Sequence, residues 1–163
     1  MRFAAISLLA AALLCAQSKP NWESWQFLIG DWVGEGTGEP GSGTGGFKFE
    51  LQLDRQILVR QNHAEYPATQ NKPAYSHQDL MVVYPEGSTW RAVYFDNEGH
   101  VIHYAAEFRT DGGVTFTSTE PASGPRFQLT YTKSAPNKVG IEFAIAPPGK
   151  PFTPYIHAVA HRN

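Results

Sequence analysis

The residues of this chain best suited to chemistry fall in a few short stretches: His63 and Glu65, His77 and Asp79, His100, and Tyr155 with His157. Imidazole and carboxylate at i, i+2 spacing share one face of a strand, because strand side chains alternate between faces. The group offers ligand types that zinc or iron accepts. It also offers the types that general acid–base catalysis uses when an apolar cavity shifts their pKa values. Equally, such residues orient a bound molecule at the lip of a pocket. The spacing is common in β-proteins and no nucleophile elbow accompanies it, so hydrogen-bonded rim residues are the default reading.

Strands must position these residues. Asn21–Ile29 reads as a short helix with Asn21 as N-cap and Gly30 as its stop. Beyond it, apolar runs punctuated by Gly, Pro, Asn and Asp predict ten strands, at 32–36, 47–53, 57–66, 76–84, 89–95, 100–108, 114–119, 126–133, 139–145 and 154–162. Tight turns at Asp96-Asn97-Glu98-Gly99 and Asp111-Gly112-Gly113 imply antiparallel hairpins. No second helix is long enough for a parallel crossover. The expected fold is therefore all-β, an antiparallel up-and-down barrel, since closure removes exposed edges.

Connections in such a barrel alternate between its ends. The longer loops 37–46, 67–74, 120–125 and 146–151, with the 96–99 turn, gather at one rim; the turns 54–56, 85–88, 109–113 and 134–138 gather at the other, beside Trp32 and Arg162. An open mouth and a closed bottom follow. His63, Glu65, His77, Asp79, His100, Tyr155 and His157 all fall near the mouth. By parity His63 and Glu65 share a face with Ile57 and Val59, and His77 and Asp79 share one with Met81 and Val83, so both pairs are expected to line one pocket.

The segment Thr37–Gly46 lacks the Lys-Ser/Thr ending of a P-loop, and no helix follows it, so it reads as a lid or spacer. Ala146–Phe152, rich in proline, reads as a rigid loop beside the mouth. Phe47, Phe49, Tyr94, Phe95, Phe108, Phe116, Phe127, Tyr131 and Phe143 read mainly as barrel filling.

At 163 residues the chain suits one domain, placed at 21–163. Residues 1–18 read as a signal peptide: Arg2, an apolar run from Phe3 to Leu14, then small residues, with cleavage after Ala16 or Ser18. The run is too short to span a bilayer. Lipoprotein processing before Cys15 fits less well, because Ala12-Leu13-Leu14 lacks a small residue next to the cysteine. Export to the periplasm or beyond is the expected localisation. Cys15 is the chain's one cysteine, so the domain itself offers no thiol, disulfide or thiolate ligand. A net charge of −2 with scattered Lys and Arg argues against nucleic-acid binding.

Gly30-x-Trp32-x-Gly34-x-Gly36 resembles the opening of the nitrobindin-like haem-binding barrels. With Arg162 it also resembles lipocalins and fatty-acid-binding proteins, all of the calycin superfamily. Tyr94–His100 is similar to bacterial lipocalin-like proteins. The resemblance implies that the late arginine packs across the tryptophan at the closed end. It further implies a haem-ligating position near the C-terminus, which falls on Tyr155 where nitrobindins have histidine, with His157 two residues on. Tyrosine can ligate haem iron, and nitric-oxide or peroxynitrite chemistry would follow haem.

The residues favour an exported binding protein for a small, largely apolar molecule, needing no cofactor. The alternatives are a protein holding haem b through Tyr155 or His157, and a cofactor-free enzyme using the His, Glu, Asp and Tyr rim.

Overall fold

Alternation of apolar and polar residues gives ten antiparallel strands with one face turned to a common interior: β1 (Gly30–Gly38), β2 (Gly43–Gln52), β3 (Ile57–Tyr66), β4 (Tyr75–Glu86), β5 (Thr89–Asp96), β6 (Val101–Phe108), β7 (Val114–Ser118), β8 (Arg126–Ala135), β9 (Lys138–Ala146) and β10 (Thr153–Arg162). Each pairs with its neighbour in sequence, and β1 pairs with β10, closing the barrel. The computed structural model describes residues 19–38, 42–119 and 123–163. The expected signal peptide, the centre of the expected 37–46 loop and part of the 120–125 loop lie outside the described residues. No helix among the described residues is long and apolar enough to cross a membrane.

The lower half of the interior is packed solid. Phe49, Leu58, Met81, Val83, Phe116 and Tyr131 are fully buried there. A single 3-10 turn, Glu23–Trp25, continues as turns to Leu28 and seals the bottom, where a longer helix was expected. Its spacing explains the form. Trp22, Trp25 and Leu28 recur every third residue, and a 3-10 geometry places such positions in register. All three are buried. Trp22 meets Trp90 at 4.7 Å between ring centroids, and Trp25 meets Phe108 at 4.9 Å.

Trp32 and Arg162 face each other in the β1–β10 register, as the sequence implies. The Trp32 indole N–H donates to the carbonyl of Leu28 at 2.8 Å. Gly30 adopts φ +123°, and a Cβ there would collide with the Arg162 guanidinium, so glycine is required before this tryptophan.

The expected 37–46 loop is corrected. Thr37 and Gly38 continue β1, and Gly43 to Gly46 begin β2. Glycine hides strand character from sequence, yet here it allows close approach: a Cβ on Gly45 would sit 2.2 Å from the carbonyl oxygen of His63 on β3. Phe95, expected inside, is 43% exposed on the outer wall, since inward Tyr94 fixes the opposite parity for it.

Candidate functional site

Above the packed lower half, a cavity of about 850 Å³ opens toward the 67–74 loop and the 96–99 turn. One wall is made of small residues: Gly34 and Gly36 of β1, Gly43 and Gly45 of β2, Ala64 of β3, and Ala158 and Ala160 of β10. The facing wall carries bulk, with Ile102 and Tyr104 of β6, Phe127 and Leu129 of β8, and Ile141 and Phe143 of β9. These glycines and alanines leave room on their side of the hollow, although Phe47 of β2 and Tyr155 and Ile156 of β10 also border it.

One polar stripe crosses this apolar space. At its base, Arg60 of β3 is 7% exposed and its Nη1 lies 3.2 Å from Oδ1 of Asp79 on β4. The contact is ionic rather than an aligned hydrogen bond, because Asp79 Oδ1 lacks a hydrogen-bond partner among the described residues. Burial alone would lower the Arg60 pKa, but Asp79 reverses the sign and holds it raised. The guanidinium also lies 5.9 Å from the rings of Phe47 and Tyr131, a cation–π arrangement. Its Nε has no hydrogen-bond partner among the described residues.

Going up the stripe, Asn62 donates its amide to Asp79 Oδ2 at 2.8 Å. His77 Nε2 lies 3.3 Å from the same oxygen and 3.0 Å from the Tyr94 hydroxyl. His77 Nδ1 lies 2.8 Å from Glu98 Oε1, which also accepts the Tyr75 hydroxyl at 2.7 Å. Tyr94 donates to Asp96 Oδ2 at 3.2 Å, and His100 Nδ1 reaches that oxygen at 2.8 Å. Lying between carboxylates, His77 has a raised pKa, caused first by Asp79 and then by Glu98 against an opposing burial penalty. Glu98 is lowered, first by Tyr75 and then by His77. Burial would raise Asp96, but the amide and ring of His100 hold it below the usual range. Burial foremost, and then Asp79, pushes the Tyr94 phenol up, so it stays a proton donor.

The sequence-predicted residues divide. His77, Asp79, His100 and Tyr155 border the cavity. Glu65 is exposed on the outer wall, and His63, although its position touches the cavity wall, is exposed with its ring on the outer side beside Gly46, which corrects their expected place beside His77. The β3–β4 register explains this: His77 pairs with Ala64, and His63 pairs with outward Gln78. The inward residues of β3 are thus Arg60, Asn62, Ala64 and Tyr66. His157 is also outside, 3.5 Å from Glu142, in a surface depression with Val33 and His161. A bulge between Pro154 and Ile156 breaks the shared parity expected of Tyr155 and His157. Tyr155 consequently stays at the mouth, its ring 6.3 Å from Phe143.

Sequence reasoning missed Arg60, Asn62, Tyr94, Asp96 and Glu98. Tyr66 and Tyr75 carried a usable signal, because they flank the β3–β4 loop and stack at 5.2 Å. Pairing those two tyrosines across the hairpin puts Arg60, Asn62 and Ala64 on the face of His77 and Asp79.

A closed ten-stranded meander, floored by a tryptophan under an arginine, decides the architecture. The fold is a closed, calycin-like up-and-down barrel. Among the solved structures that share it are these two. Rv2717c from M. tuberculosis superposes with a TM-score of 0.61 at 12% identity, over 87% of this chain and 96% of its own. The S-type phycobiliprotein lyase CPES from Guillardia theta gives 0.54 at 10% identity, over 85% of this chain and 90% of its own. No family model and no curated protein sequence matches the chain. A hollow opens at one end of this barrel, and one polar stripe runs along its largely apolar lining.

Proposed function

We propose that this barrel is an exported binding protein for a small, largely apolar molecule. The observation that carries this reading is the cavity of about 850 Å³, apolar on most sides and crossed by one polar stripe from Arg60 to Glu98. Its volume suits one small molecule. Each 100 Å² of apolar ligand surface buried is worth roughly 2.5 kcal/mol, before the cost of immobilising the ligand. The polar stripe supplies direction: Asn62, His77 and Tyr94 border the cavity and can orient a polar group on the guest. No bond needs to break for this role. Export rests on the leader-like residues 1–18.

Native mass spectrometry of protein purified from its own host tests the reading directly. A co-purifying apolar molecule, displaced by the dye Nile red, supports it. Ala158→Leu, which fills the cavity from the small-residue wall, should weaken Nile red binding while the protein stays folded. Absence of any guest and of dye binding would remove the proposal.

The haem alternative fits the cavity only in part. Tyr155 borders the hollow, whereas His157 lies beyond the wall and is not placed to ligate a group inside. A Soret band on haemin titration that disappears in Tyr155→Phe would replace the apolar guest with haem.

A further inference from the structure

Three groups from two neighbouring hairpins converge where the polar stripe reaches the mouth. His77 stands near the start of β4, Asp96 ends β5, and Glu98 lies in the turn that follows. Each offers a ligand atom within 4.8 Å of the other two. We propose that His77, Asp96 and Glu98 form a binding site for a first-row divalent cation at the lip of the cavity.

The donor set is one imidazole and two carboxylates. It suits zinc, manganese or ferrous iron, and its two negative charges match a dication in a half-buried place. Groups outside the triad hold it in shape. Asp79, with its side chain 2% exposed, lies 3.3 Å from His77 Nε2, and a carboxylate behind a histidine is how metal-ligating rings are oriented. Tyr75 holds Glu98, and His100 holds Asp96. The Asp96 carboxylate is further fixed by the amides of Glu98 and His100, at 3.0 and 2.9 Å on its Oδ1. The open side faces the cavity, leaving coordination positions for water or for an acceptor on a guest. Without a cation, hydrogen bonds between these groups occupy the same space. A bound cation takes the place of the hydrogen bond between His77 Nδ1 and Glu98.

The site stands independently of the apolar-guest reading, and its test uses the metal alone. Untagged protein, stripped with EDTA and dialysed, is titrated with zinc by calorimetry and with cobalt(II) by visible absorption. One zinc per chain is expected, with cobalt bands of a nitrogen–oxygen site. His77→Gln and Glu98→Gln should each abolish both signals, whereas His63→Gln and His157→Gln on the outer wall should leave them unchanged. Glu98 is exposed, so its near-isosteric variant keeps the fold and separates lost ligation from unfolding. Absence of zinc binding, or binding that survives in His77→Gln and Glu98→Gln, overturns the proposal.

Discussion

The Arg162 guanidinium lies over the indole of Trp32, 4.4 Å from its ring centroid, while its nitrogens donate to the carbonyls of Phe27 and Ile29. One side chain from the last strand thereby ties the first strand to the bottom plug. Arg162→Lys keeps the charge but loses the planar fork that serves ring and carbonyls together. We expect a loss of about 1–3 kcal/mol in urea unfolding, since cation–π contacts and charge-assisted hydrogen bonds each contribute at about the 1 kcal/mol level. A lysine variant as stable as wild type would contradict this.

Arg60 and Asp79 neutralise each other inside the barrel. Arg60→Met leaves Asp79 buried and short of its cation, and should cost about 3–5 kcal/mol. Replacing both, as Arg60→Met with Asp79→Met, should recover much of that loss, because apolar pairs of similar volume often substitute for buried ion pairs. A double-mutant cycle in urea measures the difference. Simple additivity of the two losses is the contrary result.

The small-residue wall is not uniformly intolerant. A Cβ on Gly45 meets a backbone oxygen at 2.2 Å, whereas one on Gly36 lies 3.5 Å from the Ala158 methyl. Gly45→Ala should therefore destabilise by at least the roughly 1–3 kcal/mol of an overpacked site. Gly36→Ala should be neutral or stabilising by up to about 1 kcal/mol, through reduced freedom of the unfolded chain. Thermal and urea melts of the two variants side by side decide it.

In metal-free protein the mouth should show a pH signature. The raised pKa of His77 means its stabilisation is complete below the unfolded value of about 6.5 and is lost as pH rises through the folded value. Glu98 and Asp96 are lowered, so their contribution is present above the ordinary carboxylate range and is lost as pH falls through their folded values. The groups facing His77 are Asp79, Tyr94 and Glu98. The stability gap between wild type and His77→Gln should therefore be widest at mildly acidic pH and shrink as pH rises through the folded value of His77. A gap that grows with pH would contradict the sign.

Much of the barrel is legible in the sequence because its determinants are local. Turn residues fix the hairpins, apolar runs fix the strands, and Gly30, Trp32 and Arg162 announce the floor. The site depends on parity, which a single residue can reverse. His63 and Glu65 follow apolar Ile57 and Val59, and so mimic an inward face. In fact Leu58 and Val59 are both buried, and the register follows Tyr66 with Tyr75. Tyr155 and His157 share parity by number, and the bulge undoes it. Arg60 was overlooked because a lone arginine in a strand normally signals solvent, and only its pairing with Asp79 permits burial.

One side of the chamber is drawn by the main chain and methyl groups of Gly34, Gly36, Gly43, Gly45, Ala64, Ala158 and Ala160, which have no rotamers to change. Anything docking there meets a fixed template on that side, and accommodation falls to the larger side chains around it, among them Phe47, Tyr66, Tyr94, Phe143, Tyr155 and Ile156. Retuning this barrel for a different guest is thus a matter of editing those bulky positions, while the glycines and alanines serve as an invariant mould.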